Sequence, residues 1–461
     1  MPDRENILVI GAGLCGSLLS LRLAQLGYKV QLVEKREDMR KAKVDGGRSI
    51  NLAFSDRGIK GIERVGILDK VNKLCIPMHG RMLHDEHGNT QLSKYSGREK
   101  EHINSISRTG LNSLLLDELD SYDNVRTYFN APCQKVDLKG ASVRIHDKES
   151  HQEKTLNADY LIGTDGAGSV VRKQMQEQPG FLFSHSQDFL THGYKELSFP
   201  ATDDDQYATF KNALHIWPRG ENMLIALPNL DKSFTVTLFL AYEGGEYNFN
   251  NLTTADKVEE YFKKVYPDAY ELMPELKTEF FENPTAPLGT VRCSPWHYDK
   301  SLIMGDAAHA IVPFYGQGMN ASFEDVVVFD DILQQNHFDL SKTYWDFSHH
   351  RKKDADAIAD LALDNFYEMK SHTAKDLFLA KRKIELSLEE NPSIDYYSKY
   401  SLVTFKEDKP YSYARERGRA QDKAILKLLK EDQIDQRMSA LEQFKCIQDK
   451  TNEILQDEAL L

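Results

Sequence analysis

NILVIGAGLCGSLLSLRLAQLGYKVQLVEK, residues 6–35, decides the fold. NILVI is a short, β-branched apolar run that leads straight into GAGLCG. The apolar-periodic stretch SLLSLRLAQLGY follows and ends near Gly27, and KVQLVEK reads as a second strand. Strand, turn, helix, turn and strand within about 30 residues is the size of one dinucleotide-binding unit. GAGLCG matches G-x-G-x-x-G, with each glycine in its own role. Gly11 permits the tight turn, Gly13 lets backbone approach a pyrophosphate, and Gly16 lets helix and strand pack closely. The helix mouth at Leu14 and Cys15 offers unpaired N–H groups and a positive dipole end to an anion. Glu34, followed by Lys35, ends the second strand, where an acid accepts hydrogen bonds from a ribose hydroxyl. A glycine triplet alone is common in turns; this one follows a strand, opens a helix and has its acid.

The same device recurs twice. YLIGTDGAGSVVRK (160–173) delivers Asp165 and Gly166 from a strand, with Ser169 and Arg172 on the helix that follows. SLIMGDAAHAIVPFYGQGMN (301–320) delivers Asp306 after Gly305 and then turns to small residues. An Asp-Gly pair after a strand is by itself an ordinary turn. Two such turns beside an N-terminal G-x-G-x-x-G suggest one long ligand held at several points, and a dinucleotide with a polyhydroxyl chain fits. Asp306 is then placed to accept from a ribityl hydroxyl. The bare stretch Gly316–Gln317–Gly318 lets backbone N–H groups reach a flavin ring, and a helix starting there aims its positive end at that ring.

A length of 461 residues implies two or three domains. The hydrophobic share of 41% and charged share of 28% describe a soluble globular chain, and a net charge of −13 argues against nucleic acid as the main partner. Five scattered cysteines without a CxxC pair fit a reduced compartment. No window reaches the roughly 18 uninterrupted apolar residues of a membrane helix. The N-terminus enters a strand without a leader-like segment and the C-terminus is short and polar, so a cytoplasmic protein with no membrane anchor is expected. His84 and His87 have a spacing that a metal could use, but HDEHGN reads better as a hairpin turn, and no metal is expected.

GAGLCG with Glu34, TDGAGSVVR, and GDAAHAIVPFYGQGMNASFED together resemble the single-component FAD-dependent aromatic hydroxylases, in the same order over residues 1–345. Six further stretches are similar to the branch that acts on L-kynurenine: GGRSINLAFSDRG (46–58), HGRMLHDEHG (79–88), SISRTGLN (105–112), PFYGQGMNASFED (313–325), LALDNFYEM (361–369) and KYSLVTF (399–405). The segment from about 410 to 461 has no recognisable signature. The resemblance implies bound FAD, NADPH as a transient electron donor without its own Rossmann domain, and O2 as co-substrate. The oxygen would reach position 3 of the kynurenine ring through a C4a-hydroperoxyflavin. Such a reaction serves tryptophan breakdown and can feed NAD synthesis.

It also implies roles for single residues. Arg81 pairs with the substrate carboxylate, and Tyr95 and Tyr400 donate hydroxyls to it. Asn365 adds a polar contact, with Glu368 and Met369 on the same helical face or one turn away, and Phe314 and Tyr315 lie against the substrate ring. Arg108 supports the FAD pyrophosphate or ribityl region, and the cofactor set comprises Gly11, Gly13, Leu14, Cys15, Gly16, Glu34, Lys35, Arg108, Asp165, Gly166, Asp306, Pro313, Gly316, Gly318, Met319 and Asn320. Two alternatives stay open: a hydroxylase of another aromatic acid, which needs no set of Arg81, Tyr95, Asn365 and Tyr400, and a flavin-binding interaction protein. A halogenase would need a lysine between flavin and substrate, and none is identified.

The expected fold is α/β: a Rossmann-like FAD-binding domain interleaved with a sheet-rich substrate domain, plus a C-terminal helical region. The FAD-binding domain is expected over 1–70, 100–180 and 290–340. The substrate domain is expected over 71–99 and 181–289 with a single helix near TADKVEEYFKKVY, and the helical region over 341–461, covering the substrate pocket.

Overall fold

The computed structural model describes residues 4–41, 51–148, 151–370, 375–435 and 437–459, apart from the side chains of 369, 370, 375, 376 and 459. The chain forms two compact units, each discontinuous in sequence. The first comprises Met1–Cys75, Ile106–Leu190 and Pro287–Ala359; the second comprises Ile76–Ser105, Thr191–Ala286 and Asp360–Leu461. The helices beyond 340 are thus shared between the two units rather than standing as a third.

In the first unit, Asn6–Ile10 is the central strand of a six-stranded sheet. It pairs in parallel with Tyr160–Gly163 on one side and Lys29–Val33 on the other. Ser301–Ile303 and Val125–Tyr128 extend the parallel set outward, and His297–Tyr298 closes one edge in antiparallel sense. Ile7, Leu8, Val9 and Ile10 are all buried, as a parallel strand covered on both faces must be. The helix Leu14–Gln25 is apolar nearly all round because it too is enclosed. This parallel order brings the C-terminal ends of Asn6–Ile10, Tyr160–Gly163 and Ser301–Ile303 side by side, and those ends carry the three glycine-acid turns. Ligands of open α/β sheets bind at such strand ends.

In the second unit, an antiparallel run, Ser184–Phe199, Phe234–Ala241, Asn222–Pro228 and Leu214–Arg219, continues into Gly80–His84 and Thr90–Lys94. The last two form the expected hairpin, whose turn is closed by Asp85 accepting the N–H groups of His87 and Asn89. One face of the sheet buries Trp217, Leu224, Val236 and Leu238 against three helices. Ala255–Val265 is the helix read from TADKVEEYFKKVY, with Thr254 as its N-cap. Pro267–Tyr270 and Leu276–Glu282 were not expected; each spans at most two turns, too short for a helical period to declare itself. A second core cluster, with Ile384, Leu388, Tyr396 and Ile425, binds the C-terminal helices together.

Glycine placement at the first turn is dictated by contact. A Cβ on Gly16 would sit 1.9 Å from the Gly11 carbonyl oxygen, and one on Gly11 would sit 2.5 Å from that of Thr164. Gly11 also holds φ at +105°, in the region glycine favours. We expect Gly16→Ala to lower the melting temperature of the flavin-free protein by several degrees, read by circular dichroism. An unchanged melting curve would show that helix and strand can part at no cost.

Candidate flavin cradle and amino-acid site

The three motifs of the first unit are fastened to one another by buried side chains. Thr164 Oγ1 donates to the carbonyl of Gly11 at 2.8 Å, tying the second motif to the first. Arg172 Nη1 donates to the carbonyl of Ala307 at 2.7 Å, tying the second to the third. Asn112 Nδ2 donates to the carbonyl of Ala12 at 2.9 Å, so the helix beginning at Arg108 also braces the first turn.

The expected cofactor residues fall at these turns. Gly13 is the N-cap of its helix, with Leu14, Cys15 and Gly16 in the first turn. Glu34 accepts the Ala12 N–H and the Arg36 N–H, each at 3.0 Å, and a carboxylate with its roughly four acceptor sites keeps capacity for a diol. Lys35 is exposed just beyond the strand. Asp165 accepts the Val170 N–H at 2.7 Å and so caps the helix Val170–Gln176, a structural duty as well as an acidic one. Gly166 takes φ +82°. Arg108 is exposed at the mouth of its helix and lies close enough to Asp306 to pull that carboxyl toward ionisation. Pro313, Phe314 and Tyr315 form a single 3-10 turn, and Gly316 after it holds φ +66°. Gly318 and Met319 open the helix Gly318–Gln335. The side chain of Asn320 is a staple: Nδ2 donates to the carbonyls of Ala53 and Gly316, and Oδ1 accepts the Ser55 N–H at 3.0 Å. Only its backbone is left to face a ligand.

This surface fits an FAD. A Cβ on Gly13, Gly166 or Gly168 would meet nothing within 4 Å, so backbone there borders open space at the three places where a phosphate or sugar needs close approach. Asp306 is reached by solvent, yet the protein around it pushes its carboxyl pKa upward, with Arg108 and His309 opposing.

Residues without an assigned role hold the Gly305–Asp306 turn in place. Asp325, at the end of the motif GDAAHAIVPFYGQGMNASFED, is fully buried. It accepts the Gly305 N–H at 2.9 Å, His309 Nε2 at 2.6 Å and Arg351 Nε at 2.7 Å. Arg351 also pairs with Glu324 at 2.7 Å, and Glu324 pairs with the buried Arg57. Burial works to raise the Asp325 pKa; His309 and Arg351 outweigh it and hold the carboxyl below its usual range. The signal was present in the sequence, an acid twenty positions after Gly305 in one motif, but only the fold returns it to that turn.

In the second unit, Arg81, Tyr95 and Tyr400 come together from a strand, the end of the next strand and a distant short helix. The Tyr95 and Tyr400 rings stack with centroids 5.4 Å apart and planes 11° from parallel. The Arg81 guanidinium lies 4.4 Å from the Tyr400 centroid and 5.4 Å from that of Tyr95. The Tyr95 hydroxyl is buried without a hydrogen-bond partner. Burial chiefly, with Tyr400 adding and Arg81 opposing, raises its pKa well above the ordinary phenol value. An orphaned donor beside a guanidinium is arranged for an anion. Asn365 is half-buried on the helix Leu340–Lys370, and Glu368, on the next turn, pairs with Lys399, the neighbour of Tyr400. The Met369 side chain lies outside the described residues. His84 is no surface ligand: it is buried between Asp268 and His215, at 2.9 Å from each.

Fold and turns together define a flavoprotein of the FAD-dependent monooxygenase type, and comparison with known proteins agrees. The FAD binding domain family matches residues 4–335. Kynurenine 3-monooxygenase of Dictyostelium discoideum is 42% identical over 441 residues, covering 92% of this chain and 93% of that protein. That of Flavobacterium johnsoniae is 43% identical over 438 residues, covering 94% and 96%. Among solved structures, P. aeruginosa PqsL in complex with 2-aminobenzoylacetate superposes with a TM-score of 0.64 at 17% identity, covering 80% of this chain and 97% of that one, a likeness of fold alone. The chain belongs to the FAD binding domain family and, within it, to the family of these kynurenine 3-monooxygenases. Among the described residues no helix is long and apolar enough to cross a membrane.

Asp325→Asn removes a buried charge held by Arg351 and His309 and should cost about 3–5 kcal/mol. Because the native pKa is lowered, the stabilisation is complete above the unfolded value of about 3.9 and is lost as pH falls through the native one. Denaturant melts from pH 7 to pH 3 should show the gap between wild type and Asp325→Asn closing on the acid side; a gap constant with pH would remove Asp325 as a buried anion.

Proposed function

We propose that the protein hydroxylates L-kynurenine at ring position 3, with bound FAD, consuming NADPH and O2. The observation that carries this reading is the Arg81–Tyr95–Tyr400 group, with its unpartnered buried hydroxyl, in a chain more than 40% identical to kynurenine 3-monooxygenases. Bound FAD supplies the redox chemistry that turns O2 into an electrophilic oxygen donor. The residues holding it are those of the glycine-acid turns: Gly13 and the N-terminus of its helix for the pyrophosphate, Glu34 for a ribose, Asp306 for the ribityl chain, and backbone from Gly316 to Asn320 for the ring.

The work of the chain is binding and orientation. Arg81 takes the substrate carboxylate in a fork of two N–H groups, and Tyr95 donates its orphaned hydroxyl to the same group. Tyr400 backs the guanidinium with its ring face. Glu368, balanced by Lys399, is a counter-charge for the substrate ammonium, with Asn365 beside it. The ring needs no nucleophile from the protein, since its own amine makes the ortho carbon electron-rich. Excluding water and fixing that carbon is what remains to be done.

The test is to load the protein with FAD and follow NADPH oxidation with and without L-kynurenine, identifying the product by mass. Accelerated oxidation with a product one oxygen heavier is expected. Acceleration that yields peroxide and no hydroxylated product would make kynurenine an effector only and favour another aromatic acid as substrate. No response to kynurenine would sink the reading.

Arg81→Ala should raise the kynurenine KM roughly 30- to 150-fold, the equivalent of about 2–3 kcal/mol for a lost charge-assisted pair, with FAD occupancy unchanged. A normal KM would take Arg81 out of the site.

A further inference from the structure

Tyr95 and Tyr400 are more than three hundred positions apart, yet their rings are parallel to within 11°. The helix Lys375–Glu390 touches the segments that carry both of them. At its C-terminal end Glu389 is buried, 2% exposed. One carboxylate oxygen, Oε2, accepts the N–H of Gly97 at 3.1 Å, two residues beyond Tyr95. The other, Oε1, accepts the N–H of Ser398 at 2.9 Å. Ser398 is the N-cap of the helix Lys399–Thr404, which carries Tyr400 in its first turn.

Two further contacts place the Tyr95 loop on the same helix. Arg382 Nη2 donates to the carbonyls of Lys94 and Tyr95 at 2.9 and 2.8 Å. Gly97 lies so close that a Cβ there would stand 2.5 Å from the Leu386 carbonyl oxygen and 2.6 Å from the Glu390 nitrogen. Arg382 is itself oriented by Glu385, one turn before Glu389. A surface acid would need none of this; a buried carboxylate with each oxygen given to a different loop is a clamp.

We propose that Glu389 is a positioning residue for amino-acid recognition, its carboxylate joining the Tyr95 loop to the cap of the Tyr400 helix so that both rings stand in register with Arg81. The inference rests on the reading that this group binds the kynurenine carboxylate. Chemistry selects a carboxylate for the task. Two N–H donors arriving from different directions need two acceptor oxygens, and glutamine has one, its other terminus being a donor that would face an N–H.

The test separates the clamp from the substrate. Amide hydrogen exchange in FAD-loaded wild type and in Glu389→Gln reads Gly97 and Ser398 directly. L-kynurenine binding by calorimetry, with KM and kcat from product formation, reads the consequence. Glu389→Gln is expected to speed exchange at one or both amides at least tenfold and to raise the kynurenine Kd and KM roughly tenfold, with kcat within about threefold and FAD occupancy unchanged. Glu389→Asp, which keeps both oxygens, should recover part of the affinity. If Glu389→Gln does not fold, Arg382→Ala gives the same reading through the Tyr95 carbonyl, with the same KM rise expected. Faster amide exchange with unchanged kynurenine affinity overturns the proposal, as does unchanged exchange at both amides. A wild type that binds no kynurenine overturns the reading of the site, and this proposal with it, whatever the amides do.

Discussion

A buried carboxylate, Asp325, is the constraint on which the flavin side of the structure depends. It stands on the helix whose N-terminus lies at Gly318, and it accepts the backbone N–H of Gly305, the residue before Asp306. One anion therefore fixes the geometry between the turn that presents the acid and the helix that presents its positive end. Burying such a charge alone would cost several kcal/mol. Arg351 and His309 approach within 2.7 and 2.6 Å and make the ionised form the favoured one. The arrangement gives direction more than net stability, since the attraction between buried ions is largely offset by their lost hydration. Geometry is what a cofactor turn needs, because binding groups misplaced by an ångström lose much of their effect.

The glycines make the complementary contribution. Gly11 and Gly16 are bare because protein backbone comes too close for any Cβ, whereas Gly13, Gly166 and Gly168 border open space. Close packing requires the first pair; the others leave backbone open at the turns where the proposed function places FAD. The two groups look identical as letters in a motif, and only the contacts tell them apart.

Legibility in the sequence followed the range of the interaction. The strand–glycine–helix units at 6–35, 160–173 and 301–320 could be read from residues alone, because a β-branched run, a Gly turn and an apolar period are local signals. The hairpin at Asp85–Asn89 was readable for the same reason. Arg81, Tyr95 and Tyr400 carry no local signal; a family resemblance singled them out, and the fold brings them within ring-contact distance. The helix Leu276–Glu282 was missed because two apolar positions, Leu276 and Phe280, make no period. Asp325 and Glu389 were missed for a deeper reason. Each acts on the backbone of residues far along the chain, and SFED and LSLEEN read as ordinary solvated helix faces until the turns they grip arrive. Thr164 and Arg172 belong to the same class, since their partners are carbonyls and carbonyls have no sequence identity.

The amino-acid site follows from an aromatic pair rather than from a dense cluster of charge. A guanidinium lying over the faces of Tyr400 and Tyr95 is attracted by the ring quadrupoles. Tyr95 completes the logic: burial, with Tyr400 beside it, lifts its pKa well above that of an ordinary phenol despite the opposing Arg81. Its hydroxyl therefore stays protonated, and so a donor, throughout the neutral range. In the proposed function a guanidinium and a neutral phenol would take the substrate anion together. Any pH dependence of substrate recognition then has to come from the substrate ammonium or from groups outside this pair.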